Sequence, residues 1–191
     1  MIGPLLGGHP IDGKTPAAGL GAFLEPGLEV LVAGPGARFE RTFEDRLDDL
    51  PGLREAVTGV SAVVYCAGSV RGRTFEDFAP ANVHGVRHVA GVLSELDAPP
   101  PMLLISSLAA SRPDVSPYAA SKAKGERVLR EHEALAWTIL RPPAVYGPGD
   151  KEMRPILAWM RRGFAFVPGP PGQRLSLLHV EDLASAVVAW L

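Results

Sequence analysis

From residue 28 onward, short runs of β-branched and apolar residues alternate with stretches whose apolar positions recur every three or four residues. Residues 28–33 (LEVLVA) read as a strand. Residues 53–60 (LREAVTGV) read as a short helix, with Pro51 near its first turn, where a missing N–H costs little. Residues 62–68 (AVVYCAG) form a continuous apolar run ending in small residues, as a strand buried on both faces should look. Residues 80–96 carry Val83, Val86, Ala90 and Leu93 at helical spacing. A second buried strand follows at 102–107 (MLLISS), with serines at its carboxyl end. Ser116 and Pro117 supply the cap and first-turn pair of a helix running to His132. Residues 137–140 read as a further strand, succeeded by the Pro/Gly-rich loop RPPAVYGPGD. Residues 153–162 and 181–190 are helical, separated by a Pro/Gly-rich segment and residues 175–179. This alternation predicts an α/β fold, a parallel sheet with helices on both faces. In such sheets ligands bind beyond the carboxyl ends of the strands.

Composition narrows the class. The chain has 191 residues, 47% hydrophobic and 21% charged, with a net charge of −2. That is enough for a sizeable core and too balanced for a dedicated nucleic-acid binder. A single cysteine, Cys66, excludes an internal disulfide and any paired-cysteine zinc motif. No run approaches the roughly 20 apolar residues needed to span a bilayer, and residues 1–8 are too short for a signal-peptide core. The expectation is a cytoplasmic protein with a small-molecule substrate, no nucleic-acid or membrane partner, and room for a homodimer. Of the 21 Gly and 19 Pro, residues 1–36 hold 14, which marks 1–27 as an irregular segment apart from the rest.

The sharpest local signal is Tyr118-Ala-Ala-Ser-Lys122, whose four-residue spacing puts both polar groups on one helix face. An ammonium beside a phenol stabilises the phenolate, which would lower the Tyr118 pKa and suit it to general acid–base work. Eleven residues earlier a buried strand ends in Ser106-Ser107, where a hydroxyl can hold a substrate oxygen or simply cap the turn. His84 and His88 share a helix face without an accompanying acidic motif, so a solvated face is expected and no metal. Cys66 reads as an apolar filler within its strand, and Arg161-Arg162 as a helix-end pair favourable to the dipole.

The order strand–SS, PYAASK, LRPPAVYGPGD and LSLLHVEDLA, with VVYCAG and Asn82-Val-His-Gly85 upstream, resembles the extended or atypical short-chain dehydrogenase/reductases of the NAD-dependent epimerase/dehydratase family. The resemblance covers roughly residues 45–191. It implies a Rossmann-like domain over 28–191, with the start of a substrate-binding part from about 143, and NAD or NADP as cofactor. By this likeness Ser107 orients the substrate oxygen, Tyr118 is the acid/base, and Lys122 tunes it and holds the nicotinamide ribose. Asn82, counted with the catalytic residues, supports the site backbone and, in some relatives, a proton relay. Ala67 and Gly68 would pass under the adenosine side; Ser106, Pro142 and Val145 would lie along the cofactor. Tyr146 and His179 would face the substrate, although packing or capping accounts for His179 equally well. The implied reaction is oxidation, reduction or epimerisation at a hydroxyl or carbonyl, as on a nucleotide sugar, by hydride transfer with a tyrosine acid/base. The alternative is a non-catalytic nucleotide-binding or assembly protein on the same fold, or an inactive fragment.

Two departures accompany the likeness. The family opens with a strand running into G-x-x-G-x-x-G. Here Gly19-Leu-Gly21 has no apolar strand before it, and Val32-Ala-Gly34-Pro-Gly36 has no helical pattern after it. Residues 28–33 fit the family's second strand better than its first, so the first strand and its phosphate-binding turn are expected to be missing or altered. Arg46 stands where relatives carry an adenine-contacting Asp, with Asp45 and Asp48 nearby. The chain also stops at Leu191, where relatives continue, and a truncated carboxyl end is expected.

Overall fold

The computed structural model describes residues 30–34, 38–43, 47–148, 150, 153–164, 172 and 174–191, the first two stretches as backbone. The segment 1–27, the Gly19–Gly21 and Gly36 positions, and Asp45 and Arg46 lie outside these residues. Strand β1 (Val30–Gly34) pairs with β2 (Arg38–Phe43). Then come α1 (Leu50–Val57), β3 (Ala62–Tyr65), α2 (Phe75–Ala79), a π-helical turn (Pro80–Gly85) and α3 (Val86–Ser94). Next are β4 (Met102–Ile105), two 3-10 turns (Leu108–Ser111 and Pro113–Val115), α4 (Pro117–Arg130) and β5 (Trp137–Leu140). The series ends with β6 (Ala144–Tyr146), α5 (Met153–Arg161), β7 (Leu177–His179) and α6 (Val180–Trp190).

Several boundaries moved for local reasons. Helix α1 starts three residues before the expected position because the Asp49 carboxylate accepts from Gly52 N at 3.2 Å and caps it. The helical stretch expected at 80–96 begins at Phe75, where Asp77 accepts from the backbone N–H of Arg73 and Thr74 at 2.7 and 2.8 Å. It then passes through the π turn rather than running as a plain α-helix. The Pro/Gly-rich loop expected after β5 contains β6, which pairs in parallel with β7 as a separate two-stranded sheet.

The main sheet has the order β2-β1-β3-β4-β5. Its β3, β4 and β5 are parallel, as the sequence predicts. Strand β1 is antiparallel to both of its neighbours, with Val30 opposite Tyr65 and Ala33 opposite Ala62. Side chains alternate across the strands. Val63, Tyr65, Met102 and Leu104 pack with Leu53, Val86, Leu93 and Leu129 from α1, α3 and α4. Val64, Leu103 and Ile105 face the other way, onto Ala184 and Val187 of α6. Every residue of β3 and β4 is buried, so the parallel block carries the core and fixes the strand ends from which the site is built.

Candidate active site

Parallel strands deliver their carboxyl ends to one edge of the sheet. Cys66 and Gly68 leave β3 there, Ser106 and Ser107 leave β4, and Arg141 and Pro142 leave β5. The ladder continues beyond the strands: Ser106 N donates to Leu140 O and Leu108 N to Pro142 O, both at 2.8 Å. A cavity of about 900 Å³ opens over this edge. Gly68, Ser106 and Ser107 line it from the strand ends, Tyr118 and Lys122 from α4, and Pro142, Val145 and Tyr146 from the opposite wall. Eight residues singled out from the sequence thus share one cavity.

Helix α4 begins where Ser116 Oγ accepts from Ala119 N at 3.1 Å, so Tyr118 falls in its first turn and Lys122 one turn on. Lys122 is only 7% exposed, and its Nζ donates to Ile105 O at 3.3 Å, fastening the helix to the end of β4. Burial pushes the Lys122 ammonium down to about 8, against the upward pull of Cys66 and Glu126. Burial likewise pushes the Tyr118 phenol up, and its hydrogen bond with Ser107 opposes that rise. The lowering of Tyr118 by Lys122 expected from their spacing is therefore not what governs the phenol here; desolvation wins. Ser107 serves both its expected roles at once: it lines the cavity and its Oγ accepts from Ala109 N at 3.2 Å, capping the 3-10 turn.

Asn82 does not line the cavity. It is 2% exposed and sits behind it in the π turn. Its Oδ1 accepts from Ser69 N, and its Nδ2 donates to Ser69 O and to Ser121 Oγ, binding the β3 exit to α4. The approach is close. A Cβ on Gly125 would stand 2.0 Å from Asn82 O, and one on Gly68 would stand 2.9 Å from Lys122 Nζ.

Three further expectations fall elsewhere. Ala67 is fully buried in the core, so Gly68 alone reaches the cavity. His179 caps α6, its Nδ1 accepting from Glu181 N at 3.4 Å, and its ring meets Tyr146 edge-on at 5.2 Å. Cys66 packs against the Val64, Leu103 and Ile105 cluster as an apolar filler would, but it lies one residue past β3 and also lines the cavity, because the strand ends earlier than its apolar run. His84 is exposed, while His88 Nδ1 lies 2.7 Å from Leu47 O. Among the described residues, no group of three His, Cys, Asp or Glu is placed to hold a metal ion, and no helix is long and apolar enough to cross a membrane. Glu126 of α4, fully buried next to the strand ends, is not among the expected site residues; its one signal in the sequence is its place four residues beyond Lys122.

The nicotinamide half of a dinucleotide fits this arrangement. Side-chain-free Gly68, the Ser107 and Lys122 polar groups and the Pro142-to-Val145 wall bound an open cleft of adequate size, while the Ser106 hydroxyl is turned to Glu126. The pyrophosphate half meets a different frame. Because β1 runs antiparallel to β3, its carboxyl end at Gly34 lies at the edge remote from the cavity.

The family model for the NAD dependent epimerase/dehydratase family matches residues 22–191. Ceramide reductase of Caulobacter vibrioides is 37% identical over 138 residues, 72% of this chain and 43% of that protein. The NADH dehydrogenase [ubiquinone] 1 alpha subcomplex subunit 9 of Dictyostelium discoideum is 28% identical over 149 residues, 75% of this chain and 39% of that one. The chain thus spans less than half the length of these curated relatives. Among solved structures, WbmH of Bordetella bronchiseptica in complex with NAD+ superposes with a TM-score of 0.61 at 17% identity, over 77% of this chain and 55% of that one. The motif order, the Rossmann-like sheet and the family match agree, and the chain belongs to the NAD-dependent epimerase/dehydratase family.

Proposed function

We propose that this chain carries the catalytic centre of an NAD(P)-dependent oxidoreductase acting on a hydroxyl or carbonyl carbon. The observation that supports it most is the shared cavity of Ser107, Tyr118 and Lys122 beside the exits of three parallel strands. When bound, the dinucleotide supplies a hydride donor or acceptor. Tyr118 Oη gives or takes the proton of the substrate oxygen, which Ser107 Oγ orients. Lys122 lies one turn from Tyr118 and provides the positive charge that favours the phenolate as the proton leaves. Asn82 holds the backbone at Ser69 and, through Ser121, the first turns of α4.

Residues 28–191 form the dinucleotide-binding domain in this reading, with the substrate part beginning near residue 143. Met153, Leu175 and Leu183 from that part line the cavity. With Leu108 and Val115 they give the cavity an apolar share of lining that suits an apolar chain, while Arg71, Arg112 and Arg174 line it too and suit an anionic group such as a phosphate.

A second reading, a non-catalytic nucleotide-binding or assembly protein, is favoured by the antiparallel β1 beside β3. Binding of NADH and NADPH, followed by nucleotide fluorescence, separates the two. The enzyme reading expects one of them to bind below millimolar concentration, and a medium-chain ketone to oxidise it. Tyr118→Phe should then cut turnover by about 10²-fold or more while cofactor affinity stays. Binding of neither cofactor at millimolar concentration overturns the enzyme reading; retained turnover removes Tyr118 from its role.

A further inference from the structure

Helix α4 carries Tyr118, Lys122 and Glu126 at intervals of four, along one face. The first two line the cavity; Glu126 does not, and its residue is 0% exposed. A carboxylate withdrawn from water is costly unless its oxygens are fully paired. Both oxygens of Glu126 are. Ser106 Oγ donates to Oε1 at 2.6 Å and Arg141 Nε to the same oxygen at 2.8 Å. Arg141 Nη2 donates to Oε2 at 2.6 Å and Arg130 Nη2 to it at 3.1 Å. Burial alone would push this carboxyl up, but the Arg141 and Ser106 hydrogen bonds and the two guanidinium charges outweigh it and hold it below the usual carboxylate range.

The partners come from chosen places. Ser106 is the first residue past β4 and Arg141 the first past β5. Arg130 lies one turn further along α4 itself, with its guanidinium half exposed. We propose that Glu126 is a positioning residue for the acid/base pair: it pins α4 to the ends of β4 and β5 so that Lys122 and Tyr118 stand at the height of Ser107. The proposal rests on the catalytic reading of Tyr118 and Lys122 given above, and it adds a residue that touches neither substrate nor cofactor. A tether at Glu126 fixes the rise of the helix one turn below Lys122. Lys122 Nζ can then reach Ile105 O, on the residue adjacent to Ser106. The bidentate Arg141 grip does the same for the opposite wall, since Pro142 and Pro143 follow it directly.

The arrangement has an electrostatic side. The groups that act on the Lys122 ammonium are Cys66 at the β3 exit and the Glu126 carboxylate on its own helix, both opposing the effect of burial. Tyr118 stands one turn before it, and Asn82 and Ile105 O offer neutral polar contacts. A residue that merely filled space would leave the Lys122 titration where it is.

The test is a pH titration of ε-carbon-labelled lysine by NMR on the whole chain. The chain has four lysines, Lys14, Lys122, Lys124 and Lys151, so the resonance missing from Lys122→Met identifies the one of interest. In the unmodified protein its midpoint is expected near 8. In Glu126→Gln, which keeps the shape and removes the charge, the midpoint should fall by about one pH unit. Glu126→Asp, with charge kept and reach shortened, should recover part of that fall. An unchanged midpoint in folded Glu126→Gln overturns the proposal. Should Glu126→Gln not fold, the paired replacement Glu126→Leu with Arg141→Leu removes the buried charge together with its main partner. The same titration then decides: a lowered midpoint supports the proposal and an unmoved one ends it. Failure of the catalytic reading looks different, because turnover retained by Tyr118→Phe leaves the Lys122 titration untouched.

Discussion

The two halves of the main sheet differ in strand direction, β1 running against both of its neighbours, and this separates what they can contribute to a site. In the parallel half, β3, β4 and β5 all finish at the cavity, so each following residue is available to it. In the antiparallel half, β1 begins at that edge, where Val30 stands opposite Tyr65, and ends at the remote one. Strand β2 returns and brings Phe43 back to the cavity side, opposite Val30. Strand direction, rather than strand position, thus decides which loop meets a ligand. The slot beside β3 is filled, yet the chain that leaves it heads away from the site. What the parallel half supplies, a serine pair, a tyrosine and a lysine around one cleft, is the chemistry; the carboxyl end of β1 does not reach that edge.

Three measurements probe this contrast. The largest effect belongs to the parallel block. Leu103→Ala removes a fully buried side chain from β4 and should lower stability by about 2–5 kcal/mol in urea unfolding; a loss under about 1 kcal/mol would mean that the block is not the core. Next comes the cost of keeping Lys122 buried. Its pKa is depressed in the folded state, so between about 8 and 10.5 the unfolded chain binds a proton that the folded chain does not, and stability rises with pH across that window. Relative to Lys122→Met, the wild-type protein should therefore gain about 2 kcal/mol from pH 8 to pH 10. A difference independent of pH would place the ammonium in water. The smallest effect is at β1. Leu31→Pro deletes one ladder hydrogen bond and should cost about 1 kcal/mol of global stability. Hydrogen exchange should quicken in β1 and β2 and stay slow in β4. Equal acceleration of all strands would show that the two halves open together.

Much of this was legible in the sequence, and the gaps have physical causes. Strands β3 and β4 announce themselves because burial on both faces demands unbroken apolar runs, and α4 because Ser116 and Pro117 mark its first turn. Tyr118, Lys122 and Ser107 were found by spacing, and they do share a cavity. The direction of β1 was not legible, since an apolar run of five residues reads the same either way. The π turn escaped because 80–94 keeps a helical rhythm through it. Strand β6 escaped because its three residues sit between Pro143 and Gly147, which signal a loop. Glu126 was missed because a buried charge is recognised by its partners, and those come from residues 20 positions before it and 15 after.

The ladder that runs past β4 into the serine pair has an arithmetic consequence. Side chains along an extended chain alternate, so Ser106 turns to Glu126 while Ser107 turns to Tyr118 and the cleft. The two hydroxyls differ in fate by parity alone. Inserting one residue between Ile105 and Ser106 would carry the anchoring hydroxyl to the cleft and leave the anchor position to the inserted residue, with composition almost unchanged. A shift of two would restore the pattern. In this segment an odd change in length does more harm than many changes of side chain, and an even one does less.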